Sequence, residues 1–142
     1  RPELFWASRG RGAWLNGRQI HVSGTARLGD ALLATGFPPD LRGQEQSLEW
    51  WRYFSLHCRS LRRTGTTAIN LAYVAAGRFD GFYAFDNHVW DVAAGVVLIH
   101  EAGGLLSNVD GSPYDPYTPD CMASGPALHP VLLDAMRQGP AV

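Results

Sequence analysis

One carboxylate in the sequence stands where it could do chemistry. Asp91 directly precedes an apolar run, residues 92–99, that has the composition of a buried helix. A carboxylate in the first turn of a helix accepts hydrogen bonds from free backbone N–H groups and faces the positive end of the helix dipole. The same group could ligate Mg²⁺, which takes one or two carboxylates together with phosphate oxygens. The residues alone favour the helix cap, which is the more common role, and leave the metal role open.

A second candidate is segment 62–68, RRTGTTA, which opens another predicted helix. Gly65 permits unusual backbone angles, and Thr66 and Thr67 bring hydroxyl groups and free N–H groups to the helix start. Such a start can bind an oxyanion, because its N–H groups point at the ligand. A threonine cap after a glycine is also common in proteins without a ligand there, so this segment is weak evidence by itself.

Other catalytic and metal-binding patterns are missing from the sequence. The five histidines show no HxH or HxxxH spacing that would predict a zinc site. There is no GxSxG motif, and the chain has no lysine, which excludes a Schiff-base or Walker-type lysine within it. Segment 108–115, NVDGSPYD, lacks the ligand spacing of a calcium loop, so a hairpin turn is expected there.

The composition predicts one globular domain and excludes several classes of partner. The 142 residues are 46% hydrophobic and 18% charged, which suits a single packed core. A net charge of −1 favours neither nucleic acid nor an anionic membrane, so neither partner is expected. The run 92–99 is too short to span a bilayer. Cys58 and Cys121 are far apart and form no CxxC pair, which predicts reduced thiols in a cytoplasmic protein.

Hydrophobic periodicity predicts alternating strands and helices, and hence a layered α/β fold. A β-meander is expected over residues 4–23, with strands at 4–7, 13–15 and 19–23 and the pair Asn16-Gly17 as a hairpin turn. The apolar spacing predicts helices over 45–63, from Thr66 or Thr67 to Gly77, from Asp91 to Gly103, and over 127–139. Further strands are predicted within 31–36, 79–85, 105–111 and 120–125.

Several segments resemble the inositol monophosphatase family. Residues 90–95, WDVAAG, followed by EAGG at 101–104, match the family signature W-D-x-A-A-G…E-A-G-G. Residues 12–23, GAWLNGRQIHVS, are similar to the family's G-A-x-x-N-G-x-x-I-x-V-S segment. Residues 32–38, LLATGFP, and 62–82, RRTGTTAINLAYVAAGRFDGF, also resemble family segments. The resemblance covers essentially the whole chain, 1–142.

The resemblance implies a Mg²⁺-dependent, lithium-sensitive phosphomonoesterase built as an αβαβα sandwich, which is a homodimer when full length. At the matching positions, Asp91 would ligate a catalytic Mg²⁺ and lie near the substrate hydroxyl beside the phosphate. Gly65, Thr66 and Thr67 would contact substrate, and Trp90 would pack as a structural wedge. A metal-activated water would hydrolyse the phosphate ester.

The family's other metal ligands do not occur in this sequence. They are a Glu and a D-P-I/L-D-G-S/T loop. With Asp91 as its one carboxylate ligand, Mg²⁺ would be coordinated mostly by water and bound weakly. Residues 1–142 are therefore expected to be the C-terminal portion of a longer enzyme, without its N-terminal metal-binding half, and inactive alone. Such a portion is expected to expose apolar surface at Trp50, Trp51, Phe54 and strand 79–85.

A second departure concerns the substrate. Family members that act on inositol phosphate carry a Glu seven residues before the metal-binding Asp, and this chain has Ala84 there. Asp86 or His88 is a candidate replacement for that polyol contact. The favoured substrate is a small phosphorylated polyol, while histidinol phosphate, fructose bisphosphate and a 3′-phosphonucleotide stay open as alternatives. A non-catalytic binding or dimerisation relative is the alternative of another class.

Overall fold

Two β-sheets and four α-helices make up the part of the chain that the computed structural model describes, residues 2–140. The strands are β1 (Phe5–Ala7), β2 (Ala13–Leu15), β3 (Arg18–Ile20), β4 (Leu32–Gly36), β5 (Ser60–Arg63), β6 (Gly81–Ala84), β7 (Leu105–Ser107) and β8 (Cys121–Ser124). The helices are α1 (Glu45–His57), α2 (Thr67–Ala75), α3 (Val89–Glu101) and α4 (His129–Gln138). Across the described range, no helix has both the length and the apolar character to cross a membrane.

The first sheet is the predicted β-meander. Its strands β1, β2 and β3 pair antiparallel in chain order. Asn16 and Gly17 both have positive φ, 48° and 79°, as a two-residue type I′ turn requires, so the hairpin prediction is confirmed. Strand β3 ends earlier than predicted, because Val22 donates its backbone N–H to the carbonyl of Ala102 instead of to a strand.

The second sheet has the strand order β5-β4-β6-β8-β7. Strand β4 runs parallel to β5 and β6, whereas β8 runs antiparallel to β6 and β7. Alternate residues of its central strands enter different cores: Phe82 packs with α2 and α3, and Tyr83 packs with α1 and α4. The described residues therefore form four layers, and the predicted fold class, part of an αβαβα sandwich, is confirmed.

The predicted helix over 45–63 is wrong beyond His57. Cys58 closes the last turn by donating its N–H to the carbonyl of Phe54, and its extended backbone ends α1. Residues 60–63 then form β5, in which Leu61 pairs with Leu33 of β4. A single apolar residue such as Leu61 fits both helical and strand spacing, so periodicity could not separate the two.

The apolar surface lies elsewhere than predicted. Trp50 and Phe54 are buried under the sheet, and β6 is buried along its whole length, so the prediction of exposure there is wrong. Exposed apolar side chains instead lie just before and on β1, on α2 and α3, and on the outer face of α1, where Leu4 is 66%, Ile69 46% and Leu56 71% exposed. Helix α1 covers its own sheet face within this chain, so that face needs no partner.

Asp80 is a buried carboxylate that ties the β3–β4 connection to the start of β6. Its Oδ1 accepts hydrogen bonds from the hydroxyls of Ser23 and Thr25, at 2.6 and 2.8 Å. Its Oδ2 accepts the backbone N–H of Leu32 at 2.6 Å, and its own N–H donates to the Leu32 carbonyl. The two hydroxyls and the Leu32 N–H therefore all donate to the carboxylate of one buried side chain.

An Asp80→Asn substitution is expected to lower the free energy of unfolding by about 2–4 kcal/mol. The NH₂ group of the asparagine would have to face a donor that in the native chain donates to a carboxylate oxygen of Asp80. Asp134→Asn, the same change on exposed α4, is the matched control and should stay within about 0.5 kcal/mol of the unmodified chain. Urea denaturation of both variants measures the difference. Equal stabilities for the two variants would show that Asp80 is not the anchor described here.

His129 is a buried histidine that links α4 to both β7 and β8. Its Nε2 lies 2.9 Å from the Ser107 hydroxyl oxygen, and its Nδ1 lies 3.0 Å from that of Ser124. Ser107 donates its only hydroxyl proton to the Asn108 carbonyl, so it must accept a proton from Nε2. The hydrogen-bond pattern thus places a proton on Nε2, and burial lowers the pKa of His129, which favours the neutral Nε2–H tautomer.

Acidification is expected to destabilise the chain through His129. Its folded-state pKa is lower than its unfolded value, so below about pH 6.5 the unfolded state binds a proton that the folded state refuses. Stability should therefore fall between pH 7.5 and 5.5, by at most about 1.4 kcal/mol per pH unit from this residue. Denaturation of the native chain and of His129→Gln over this range tests the effect. The unfolding free energy of His129→Gln should fall less steeply with decreasing pH than that of the native chain. Identical slopes of unfolding free energy against pH would contradict this role of His129.

Candidate functional site

The carboxyl ends of three parallel strands meet at one edge of the second sheet. Strands β4, β5 and β6 run in the same direction, so the loops that follow them lie side by side. The loop after β5 leads into α2, and the loop after β6 leads into α3. In open α/β sheets, ligands bind in the crevice outside the carboxyl ends of the strands.

A cleft of about 280 Å³ opens at this edge. It brings together all four predicted site residues, Gly65, Thr66, Thr67 and Asp91, from the starts of two helices. Its lining consists of Gly36, Phe37, Pro38, Pro39, Gly65, Thr66, Thr67, Asp86, Asn87 and Asp91. The parallel pairing of β4 with its two neighbours thus joins segments that are far apart in sequence.

The start of α2 presents free hydrogen-bond donors to this cleft. The first intrahelical bond runs from the N–H of Asn70 to the carbonyl of Thr66, so the preceding N–H groups have no partner within the helix. Thr66 occupies the predicted cap position, but its hydroxyl makes no capping hydrogen bond. Gly65 has a φ of 89°, a conformation that favours glycine. This geometry suits an anion.

Thr67 has a different role from Thr66. Its hydroxyl donates to Asn87 Oδ1 at 2.8 Å, so its proton is already committed within the protein. Asn87 in turn donates from Nδ2 and from its backbone N–H to the carbonyl of Pro119, at 3.2 and 2.7 Å. Asn87 therefore fastens the loop after β6 to the start of α2. Asn87 could not be predicted from sequence, because a single loop Asn belongs to no pattern.

Asp91 is the third residue of α3, which begins at Val89 rather than at Asp91 as predicted. Its Oδ2 accepts the backbone N–H of His88 at 3.0 Å, so one oxygen closes the helix start. Its Oδ1 accepts no hydrogen bond from any protein group within residues 2–140 and is left for a ligand. One carboxylate can thus serve both roles that the sequence left open.

Trp90 does not pack as the predicted wedge. Its side chain is 74% exposed, and its only ring contact in the described part of the chain is a stack on His88, with centroids 4.8 Å apart. The wedge prediction is wrong for this structure, because no layer covers that side of α3.

The two candidate replacements for the missing polyol contact differ in position. Ala84 ends β6, between Gly36 and Cys121, and is 1% exposed, so it does not reach the cleft. Asp86 is exposed and lines the cleft, whereas His88 is outside the lining. Of the two, only Asp86 is placed to meet a substrate.

An apolar wall, formed by Phe37, Pro38 and Pro39, closes the side of the cleft that follows β4. Arg63 holds this wall, since its Nη2 donates to the carbonyls of Phe37 and Pro38 at 2.9 and 3.2 Å. Its guanidinium also lies 4.4 Å from the centroid of the Phe37 ring. Both the wall and its holder were missed from sequence, because they meet only through the pairing of β4 with β5.

The oxygen atoms that line the cleft are of the type that Mg²⁺ binds, but there are too few of them to hold the ion. Carboxylate and hydroxyl oxygens are hard ligands of the type that Mg²⁺ takes. Within residues 2–140, however, no three His, Cys, Asp or Glu side chains are grouped closely enough to hold a metal ion. Burial raises the pKa of the neighbouring Cys121 thiol to about 12, so it offers no thiolate. The described residues alone therefore do not complete a metal site.

Sequence comparison assigns the chain to a known family. The family model described as the inositol monophosphatase family matches residues 1–141. An inositol-1-monophosphatase of Caulobacter vibrioides is 38% identical over 95% of this chain and 54% of its own length. A Nus factor SuhB of Pseudomonas aeruginosa is 48% identical over 79% of this chain and 42% of its own length. The chain thus spans about half the length of the relatives it matches.

The fold has counterparts among solved structures. The inositol monophosphatase of Anabaena (Nostoc) superposes with a TM-score of 0.93 at 37% identity, over 97% of this chain and 57% of that chain. The extragenic suppressor protein suhB of Bartonella henselae superposes with a TM-score of 0.90 at 38% identity, over 97% of this chain and 53% of that chain.

Proposed function

The chain belongs to the inositol monophosphatase family, and from that premise we propose that the full-length protein is a Mg²⁺-dependent phosphomonoesterase. The single observation that carries the proposal is the cleft at the strand ends. There, a half-free carboxylate, Asp91, lines the same space as Gly65, Thr66 and Thr67 at the start of α2, where the N–H group of Thr67 has no partner within the helix. Anion donors beside a carboxylate suit a phosphate that binds together with a cation.

In this proposal, different residues of the chain bind the phosphate, bind the metal and fix the spacing between the two. The N–H groups at the start of α2 and the hydroxyl of Thr66 hold phosphate oxygens. Asp91 Oδ1 would ligate the metal, while Oδ2 keeps the carboxylate oriented through the N–H of His88. The bond between Thr67 and Asn87 fixes the loop that leads to Asp91 against α2, so the two parts of the site keep their spacing. When bound, Mg²⁺ supplies the activated water and neutralises charge on the phosphate.

Further carboxylates must complete the metal site. The cleft contains two carboxylates and no lining cation, and a phosphate monoester carries about −1.5 to −2 charges at neutral pH. One firm carboxylate ligand does not hold Mg²⁺ well. We therefore propose that residues 1–142 alone are inactive, as the C-terminal portion of a longer enzyme. A homodimer and a cytoplasmic location are also proposed, from the family resemblance alone.

The substrate proposed is a small phosphorylated polyol. The cleft volume of about 280 Å³ lies at the lower end of ligand pockets, which typically span about 300–1,000 Å³. The choice of a polyol rests on the family resemblance, because the missing half of the enzyme would change this volume. Histidinol phosphate, fructose bisphosphate and a 3′-phosphonucleotide are the alternatives for a substrate panel.

The test is phosphate release by the full-length protein from this panel, with Mg²⁺ titrated from zero. We expect saturable dependence on Mg²⁺, abolished by EDTA and restored by added Mg²⁺. The 142-residue chain assayed beside it should release none. A folded full-length protein without turnover at any Mg²⁺ concentration would reject the proposal in favour of a non-catalytic binding relative.

A further inference from the structure

We propose that Asn70 is a positioning residue that orders the α2 loop, residues 64–66, through the hydroxyl of Thr64, and that this order sets the affinity of the cleft for phosphate. The inference rests on the proposed function and deepens it, because it names two residues behind the site. Neither Asn70 nor Thr64 lines the cleft, so both would act through Gly65 and Thr66, which do.

Asn70 forms hydrogen bonds with both ends of the α2 loop. Its side-chain Oδ1 accepts the hydroxyl proton of Thr64 at 2.7 Å, and its backbone N–H donates to the carbonyl of Thr66 at 3.2 Å. The N–H of Thr66 also lies 3.5 Å from Thr64 Oγ1, a long contact between the two ends. Gly65 lies between them with a φ of 89°, and glycine has more conformations to lose than any other residue. The two bonds to Asn70 therefore restrain a segment that would otherwise be free to move.

The side chain of Asn70 lowers the stability of the fold in one respect. It is fully buried on α2, yet its Nδ2 has no hydrogen-bond partner among residues 2–140. A buried donor without a partner is destabilising, and an apolar side chain at this position would avoid that penalty. Thr64, in contrast, is exposed, so water could accept its hydroxyl proton in the absence of Asn70. The bond between the two residues is therefore explained by the order that it gives the α2 loop rather than by a gain in stability.

An ordered loop binds an anion more tightly than a mobile loop does. A mobile loop loses conformational freedom when phosphate oxygens bind to it, and this entropy loss reduces the binding free energy. Gly65 and Thr66 line the cleft, so any freedom that they gain is freedom at the ligand. Loss of the bond between Thr64 and Asn70 should weaken phosphate binding to the same extent in the ground state and in the transition state. Such a loss raises KM and leaves kcat unchanged.

Thr64→Val, Asn70→Ala and the double variant of the full-length protein test the inference. We expect each to raise KM for the most rapidly hydrolysed ester of the panel, and the inhibition constant of inorganic phosphate, by roughly 5–10-fold, as the loss of one hydrogen bond would give. The double variant should lose no more affinity than either single variant, because all three lack the same bond. Thr64→Ser keeps the hydroxyl and should retain the native constants.

Urea denaturation of the same proteins separates this role from a structural one. Thr64→Val should lower the urea midpoint of the native protein, because the buried Oδ1 of Asn70 loses its partner, but it should not lower the midpoint of Asn70→Ala. Phosphate affinity should be equally low in all three variants, whatever their midpoints. Ser112→Ala is the matched control, because its hydroxyl also donates to one side chain, Asp110, and accepts from another, Asn108, outside the cleft lining. Both kinetic constants should stay native in this control.

The outcomes distinguish failure of this inference from failure of the proposed function. Native phosphate affinity in Thr64→Val or in Asn70→Ala overturns the inference, and so does an affinity that follows the urea midpoint from variant to variant. A lower kcat at unchanged KM overturns it too, because that pattern assigns the two residues to the reacting groups. If the native protein hydrolyses no ester, the proposed function fails, and calorimetric binding of inorganic phosphate then decides. Weaker binding by the variants supports the inference, whereas equal binding, or none by the native protein, overturns it.

Discussion

Asp91→Asn is expected to lower kcat/KM of the full-length protein by roughly 10²–10⁴-fold, because it removes several kcal/mol of charge stabilisation at the metal. The asparagine oxygen can still accept the N–H of His88, so the start of α3 keeps its hydrogen bond. Unfolding free energy should therefore change by less than about 1 kcal/mol. Steady-state kinetics and urea denaturation of the same preparation separate the two effects.

Asp134→Asn is the matched control for this variant, since it makes the same chemical change on exposed α4, where Asp134 pairs only with Arg137 among residues 2–140. It should retain full activity. A higher Mg²⁺ requirement in Asp91→Asn, together with lower turnover, would point to the metal rather than to the substrate. A fully active and equally stable Asp91→Asn protein would remove Asp91 from the chemistry and leave it as a helix cap.

Gly95→Ala is expected to be the most destabilising single-atom addition in the α2–α3 layer. A Cβ at this position would lie 2.3 Å from Leu71 Cδ1 and 2.6 Å from Leu71 Cβ. Leu71 is fully buried, and its Cβ cannot be moved by a rotamer change, so the two helices must separate. The free-energy cost of this overpacking exceeds the gain of about 1 kcal/mol from replacing a helical glycine. We therefore expect the free energy of unfolding to fall by about 2–4 kcal/mol.

Gly24→Ala is the matched control, since nothing lies within 4 Å of a Cβ there and its φ is not positive. Its stability should stay within about 0.5 kcal/mol of the unmodified chain. Urea denaturation measures both variants. A Gly95→Ala chain as stable as Gly24→Ala would mean that α2 and α3 are not in the close contact described here. Because Thr67 and Asp91 lie on these two helices, the same separation should also weaken the site.

Most of the architecture was predictable from local patterns. The hairpin at Asn16-Gly17 followed from turn chemistry, and α3 followed from an apolar run between Asp91 and Gly103. The strand β5 was missed because Leu61 also fitted the spacing of the preceding helix. Burial of Trp50 was missed as well, because the contact of α1 with its own sheet depends on non-local pairing.

The site was predictable only where residues belong to a pattern. Asp91, Gly65, Thr66 and Thr67 were found through helix starts and family segments, and the structure brings them to one cleft. Asn87 and the apolar wall were not found, because three parallel strands bring their loops together and no sequence spacing records that meeting. The hydrogen bond from the Thr67 hydroxyl to Asn87 likewise could be seen only in the structure.

The most direct test of the central claim is Mg²⁺-dependent phosphate release by a chimera. The part of the Anabaena inositol monophosphatase that this chain does not cover would be joined to residues 1–142, since the chain covers 57% of that protein. We predict that the chimera hydrolyses phosphomonoesters only with Mg²⁺, that Asp91→Asn lowers kcat/KM by the same roughly 10²–10⁴-fold, and that residues 1–142 alone show no turnover. A cooperatively folded chimera without turnover, or one unaffected by Asp91→Asn, would contradict the claim that this cleft is half of a metal-dependent phosphatase site.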